Sequence, residues 1–374
     1  MKQKYDVAVI GAGIVGLAIA LTAARQGKKV AVFERSPRAV GASIRNFGLI
    51  WPVGQAPGKN LERALKSREV WLDLAKETGI TVTENGSLTL AYHSDEQAVL
   101  EEFTAQSVGA GYDCALLSPA AIEKLSPATR LQGLKTGLWS RTECTVSPRQ
   151  AIPQLAAYLE QQLGVDFFWS RAITHVNTGY VADFYDEWAT EQVYICGGQD
   201  FETLYPTLFA ASGITRCKLQ MMRTAPQPDA WQLGPSLCAG LTLRHYDNFA
   251  NCPSLKAVSD RYDQENPLFQ QWGIHVLLSQ NAAGELIIGD SHEYGWDVQP
   301  FDREEINQEI LKYLSTFAQF PDPRIVETWH GVYPKVPGKN ALVETVEDKV
   351  WIINGLSGAG MTLSFGLAAE ILAD

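Results

Sequence analysis

The first thirty-four residues constrain this chain more than any other stretch. Residues 5–10 (YDVAVI) are a short β-rich apolar run of the kind a buried parallel strand needs. Gly11-Ala12-Gly13-Ile14-Val15-Gly16 follows at once. Residues 17–26 then read as an Ala-rich helix stopped by Gly27, and residues 29–33 as a second strand with Glu34 at its end. In this GxGxxG arrangement Gly11 makes the tight turn, Gly13 lets backbone approach a pyrophosphate, and Gly16 lets helix pack on strand. The helix N-terminus offers free N–H groups and partial positive charge to the phosphates. A carboxylate at position 34 accepts hydrogen bonds from both ribose hydroxyls of an adenosine and repels a 2′-phosphate, which disfavours NADP. The unit by itself does not separate FAD from NAD.

The rest of the chain must be fitted around that unit. At 374 residues it is too long for one ordinary core, so two domains are expected. Hydrophobic residues make up 46% and charged residues 20%, which is ordinary globular composition. The net charge of −11 comes with no basic stripe, which argues against nucleic acid as a partner but leaves room for a locally positive pocket. The six cysteines include no CxxC pair and no zinc-ligand spacing, so reduced thiols and a cytoplasmic location are expected. Four residues precede the first strand, so no apolar leader is expected. No apolar run is long enough to predict a membrane span.

Further along, residues 36–58 are rich in Gly, Pro and Ser and read as loop. Residues 60–78 have helical periodicity ended by Gly79, and residues 80–92 alternate like strand. Another helix is expected over about 94–108. Ser147-Pro148 supplies an N-cap and a first-turn proline for a helix to about Leu163. Residues 165–170 and 192–196 read as strands, 218–278 as strands mixed with long loops, 285–289 as a hairpin strand, and 301–317 as helix. The end repeats the opening logic: strand 350–353, a glycine turn at 355–360, then helix 362–372. Nucleotide-binding signals therefore lie at both ends and in the middle, which predicts domains built from discontinuous segments.

Two later motifs carry chemistry. In Asn354-Gly355-Leu356-Ser357-Gly358-Ala359-Gly360-Met361-Thr362 the glycines allow backbone to approach a flat ring. The helix start behind them can direct N–H groups at a flavin's pyrimidine carbonyl, by oxyanion-hole logic. In Val193-Tyr194-Ile195-Cys196-Gly197-Gly198 a buried strand breaks into paired glycines, as happens where chain passes a dinucleotide, although an ordinary strand-to-turn transition reads the same way.

The order of motifs resembles the D-amino-acid oxidase and glycine/sarcosine oxidase family of flavoproteins. The resemblance rests on VAVIGAGIVGLAIA (7–20), FER (33–35), SIRNFGLI (43–50), SPRQAI (147–152), YICGG (194–198), WHGVYP (329–334) and INGLSGAGMTLSFGLAAEI (353–371), and so spans essentially the whole chain. It implies an α/β fold: a Rossmann-like FAD-binding domain from residues 1–80, 145–215 and 328–374, and an α+β substrate domain with a mixed β-sheet from 81–144 and 216–327. It implies FAD contacts from Gly11, Gly13, Ile14, Val15, Gly16, Glu34 and Arg35, and from Ser43, Arg45, Asn46, Phe47 and Gly48. Further contacts are implied from Cys196, Gly197 and Gly198, and from Gly355, Ser357, Gly358, Ala359, Gly360, Met361 and Thr362. The last cysteine, Cys252, lies well before the C-terminal segment, so noncovalent FAD is expected.

One departure bears on the substrate. Relatives acting on amino acids place an Arg in a Trp-Gly-Arg-Pro type segment to grip the carboxylate, and Tyr333 stands there instead. The chain looks closest to a bacterial branch associated with aminophosphonate breakdown, which implies 2-aminoethylphosphonate or its N-methyl form as substrate. Arg45, Arg223, His330, Lys335 and Lys339 are the candidates to hold the acidic group, each with an alternative reading as a solvated or structural charge. His245 and His275 read as packed histidines, while His292-Glu293-Tyr294 is a candidate pocket border. The implied reaction is hydride transfer from a small amine to flavin N5, then hydrolysis of the imine to an aldehyde or keto product. Tyr333 and His330 are the candidates to deprotonate or orient the amine. Reoxidation by O2 or another acceptor, and oligomer formation, stay open. So do three rivals: a glycine/sarcosine-type oxidase, a NAD-dependent dehydrogenase, and a non-catalytic FAD-binding subunit.

Overall fold

The structure, a computed structural model, describes residues 4–373. Residues 1–3 and 374, the outermost positions of the first expected domain, lie outside the described residues. Strand β1 (Lys4–Ile10), helix α1 (Ile14–Arg25) and strand β2 (Val30–Glu34) form the opening unit. β1 pairs in parallel with β2 on one side and with the strand Glu187–Ile195 on the other. Asp166–Trp169 extends the parallel sheet beyond β2, and Val350–Asn354 extends it beyond Glu187–Ile195. All five carboxyl ends therefore open on one edge, the edge where such sheets bind ligands.

Both faces of this sheet are covered, which is why its strands read as continuous apolar runs. On one side α1 packs with Lys59–Thr78, Pro148–Leu163 and the C-terminal helix Gly360–Ile371, around Leu17, Leu21, Trp71 and Phe365. On the other side Phe33 stacks on Phe168 at 4.9 Å between ring centroids, with Trp188 edge-on. Gly79 and Gly164 end their helices in left-handed conformation. Ser147 does occupy the N-cap of Pro148–Leu163, but its side chain makes no capping hydrogen bond; the fixed φ of Pro148 starts the helix.

A second, nine-stranded mixed sheet runs from Ser87–Ala91 to Ile325–Lys335 in sequence. Its longest pairing is antiparallel, between Thr215–Pro226 and Ile325–Lys335. Residues 328–335, expected with the nucleotide-binding half, thus hydrogen-bond into the second sheet. A small three-stranded sheet, Leu49–Ile50, Cys144–Val146 and Val82–Thr83, lies where the chain passes between the two larger ones.

The stretch 218–278 departs from its expectation of strands and long loops, because it contains the helix Leu255–Glu265. That helix buries only Val258 and Tyr262, one turn apart, so it carries too narrow an apolar stripe to read as a helix. All six cysteines are free thiols. Among the described residues no helix is long and apolar enough to cross a membrane.

Candidate active site

A cavity of about 760 Å³ opens at the carboxyl edge of the parallel sheet and extends to the second sheet. Its outer part is built by the opening unit. Gly11 has φ +106°, and a Cβ there would lie 2.4 Å from the Cys196 carbonyl oxygen. A Cβ on Gly16 would lie 1.9 Å from the Gly11 carbonyl oxygen, so this glycine is required for helix-on-strand packing and stands behind the cavity wall. Gly13 faces the cavity, with the N–H of Ile14 donating to Ser43 Oγ at 2.9 Å.

Glu34 fixes the same rim. One carboxylate oxygen accepts the Ala12 N–H and the other the Ser36 N–H, both at 3.0 Å. A carboxylate has about four acceptor positions, so lone pairs remain for two ribose hydroxyls. Arg35 lines the rim and pairs with Asp200 at 2.8 Å. Asn46 holds the loop by donating to the Ala42 and Ser43 carbonyls and accepting the Gly48 N–H. Gly48 itself is structural: a Cβ there would lie 1.9 Å from the Val146 carbonyl oxygen.

The C-terminal glycine segment forms the facing wall. Asn354 donates to the Gly198 carbonyl at 2.8 Å and accepts the Gly355 N–H, tying the two glycine turns together. Ser357 to Thr362 line the cavity as the chain enters the helix Gly360–Ile371, whose first-turn N–H groups have no partner within the helix. Thr362 Oγ1 accepts the Trp51 N–H at 2.9 Å, which anchors the helix start.

Beyond this wall the second sheet closes the inner end. Tyr333 is buried, and a Cβ on Gly358 would lie 3.6 Å from its ring and hydroxyl. Burial, reinforced by Cys217 and Tyr294, pushes the Tyr333 phenol well above its ordinary range, so it stays protonated. Lys335, two residues on, lines the same cavity, its ammonium 5.1 Å from the centre of the Tyr294 ring. Arg45 lines the cavity and donates to the His330 carbonyl at 3.3 Å, and Lys339 lies at the rim.

Two candidates from the sequence do not reach the cavity. The Arg223 guanidinium pairs with Glu285 at 2.7 Å and Glu327 at 2.8 Å, carboxylates that neighbouring strands bring to it. His330 turns to Asp302, with Nδ1 at 2.9 Å from the carboxylate, beside the buried Lys218. Neither is placed to touch a bound amine.

The structure adds groups that spacing did not reveal. Tyr246, His245, His275, Asp290 and His292 all line the inner end. Burial, then the charges of His275 and His292, holds His245 well below the usual imidazole range. Burial, partly offset by Asp290, pushes His292 down to about 4. Only His292 had been singled out as a border residue, because the three histidines fall on separate elements with no motif between them.

The sequence profile of the DAO family, described as FAD dependent oxidoreductase, matches residues 6–374. A glycine oxidase of Bacillus licheniformis is 23% identical over 386 aligned positions, covering 100% of this chain and 93% of that protein. Among solved structures, L-proline dehydrogenase from P. horikoshii superposes with a TM-score of 0.78 at 20% identity, over 100% of this chain and 94% of that one. Glycine oxidase from Geobacillus kaustophilus gives 0.78 at 19% identity, over 99% and 94%. The residues present fit FAD: glycines 13, 197 and 198 leave the cavity walls without side chains, Glu34 would meet the ribose end, and the glycine segment would meet the ring end.

Proposed function

The chain belongs to the DAO family of FAD-dependent oxidoreductases, and we propose that it oxidises a small amine carrying an acidic group, by preference an aminophosphonate such as 2-aminoethylphosphonate or its N-methyl form. The observation that carries this reading is that Tyr333, against Gly358, and Lys335, two residues on, both line the cavity. Position 333 lacks the guanidinium fork that grips carboxylates and phosphates bidentately. A tetrahedral phosphonate suits a point charge and a single O–H donor, which Lys335 and Tyr333 supply.

When bound, FAD supplies the acceptor for the two electrons removed from the amine's α carbon. Everything else falls to the chain. Arg45 and Lys335 attract the acidic group, and the protonated Tyr333 hydroxyl donates to it. Phe47, Leu219, Met221 and Leu277 line the cavity and keep water from the reacting carbon. The substrate leaves as an imine, which water hydrolyses to a carbonyl product and ammonia or methylamine.

A second reading, glycine or sarcosine as substrate, is favoured by the likeness to glycine oxidases and by Arg45, which could hold a carboxylate in place of the missing Arg. Incubating the holoenzyme with each of the four compounds and trapping carbonyl products as hydrazones tests both. A phosphonate-bearing aldehyde is expected. Glyoxylate alone would transfer the assignment to the second reading.

A further inference from the structure

His245, His275 and His292 each offer a ring nitrogen within 4.8 Å of the other two. Their rings lie 3.7 Å (His245–His275), 4.7 Å (His245–His292) and 5.1 Å (His275–His292) apart between centroids. Asp290 reaches into the same cluster, 3.1 Å from His275 Nε2 and 3.9 Å from His292 Nε2. Three chain segments assemble it. His245 follows the turn Gly240–Arg244, His275 precedes the strand Leu277–Gln280, and His292 follows the strand Glu285–Gly289. Backbone hydrogen bonds in both directions between His275 and Asp290 fix two of these segments together.

Packing of aromatic rings alone does not account for the polar atoms. His275 and Asp290 are 3% and 4% exposed, yet His275 Nδ1 and Asp290 Oδ1 have no hydrogen-bond partner. His275 Nε2 lies 3.1 Å from Asp290 Oδ1 without making a hydrogen bond to it. Leaving such buried atoms unpaired is unfavourable, and an ion is one of the few things that repays it. His292 Nδ1 lies 2.9 Å from the Gly273 carbonyl, to which it donates, so Nε2 carries the lone pair. A backbone carbonyl on the second nitrogen is the usual way in which a metal-binding imidazole is oriented.

We propose that His245, His275 and His292, with Asp290 beside them, bind a divalent first-row transition ion of the zinc or cobalt type. Three imidazoles and one carboxylate suit such an ion, whereas calcium and magnesium take oxygen ligands. Metal–nitrogen bonds of about 2.0–2.1 Å require nitrogens roughly 3.4 Å apart in a tetrahedral site. The His292 ring lies 6.4 Å from that of Tyr333, so a fifth coordination position, of the kind such an ion can add, would face the acidic group of a substrate. That last consequence rests on the amine-oxidation reading; the ion site does not.

The test is ion binding to the flavin-loaded enzyme without substrate, so that it fails or succeeds independently of the reaction assigned above. Chelator-treated holoenzyme is titrated with Co2+ and read in the visible d–d region. Saturation at about one ion per chain with a strong tetrahedral-type band is expected. The band should be lost in His245→Gln and in His292→Gln while the flavin absorbance is retained. Zn2+ should also raise the Tm of the unsubstituted protein, a measurement that needs no variant to fold. Absence of both the band and the Tm shift overturns the proposal, as does an unchanged band in the two variants.

Discussion

Tyr333 concentrates the substrate argument in one side chain. Tyr333→Phe keeps the ring against Gly358 and removes only the hydroxyl. A hydrogen bond to a charged group contributes about 1.5–3 kcal/mol, so kcat/KM should fall roughly 10- to 100-fold with flavin content unchanged. Steady-state kinetics beside the flavin absorbance ratio checks this. Glu34→Ala acts at the other end of the cavity, where the carboxylate holds two backbone N–H groups. Loss of that rim and of the ribose acceptors should weaken FAD binding by at least about 10-fold, read by flavin fluorescence on dilution. Both residues stand out in the sequence, one by its departure from a motif and the other by its place at a strand end, and both line the cavity. Arg223 was legible only as a cation. Its partners Glu285 and Glu327 come from strands distant in sequence, and register, not composition, brings them to it. The histidine cluster had no local signature at all, since three separate chain segments supply it.

At the scale of elements, the opening strand, helix and strand followed from their glycines, because close contacts leave no alternative residue. Gly16→Ala would press a methyl against the Gly11 carbonyl oxygen and should cost at least about 3 kcal/mol, measured by denaturant unfolding. The helix Lys59–Thr78 is fastened to the C-terminal helix by Arg63, whose guanidinium meets Glu370 at 2.7 and 2.8 Å. The Arg63 hydrogen bond, against the opposing effect of burial, holds the Glu370 carboxyl below its ordinary 4.5. Its folded-state value being depressed, the stabilisation is present above about pH 4.5 and is lost as pH falls through the lower folded value. Glu370→Gln should therefore lower stability by about 2 kcal/mol at pH 7, and the difference in Tm from the unsubstituted protein should shrink as the pH falls below 4.5. Elements with one wide apolar face were readable in this way. The helix Leu255–Glu265 was not, because tertiary packing asks so little apolar surface of it.

At the scale of the whole molecule, function depends on two sheets meeting over one cavity. The parallel sheet and the C-terminal helix would meet the dinucleotide, while the strand Ile325–Lys335 carries Tyr333 and Lys335 in from the second sheet. Motifs at both ends of the chain made the discontinuous assembly legible. The side on which residues 328–335 pair was not, because a strand's neighbours are set by long-range register. The most direct measurement is anaerobic absorbance of the purified holoenzyme mixed with 2-aminoethylphosphonate, its N-methyl form, glycine or sarcosine. The account predicts that the oxidised-flavin band bleaches with an aminophosphonate. A flavin-loaded protein whose band is unchanged by all four amines would contradict it.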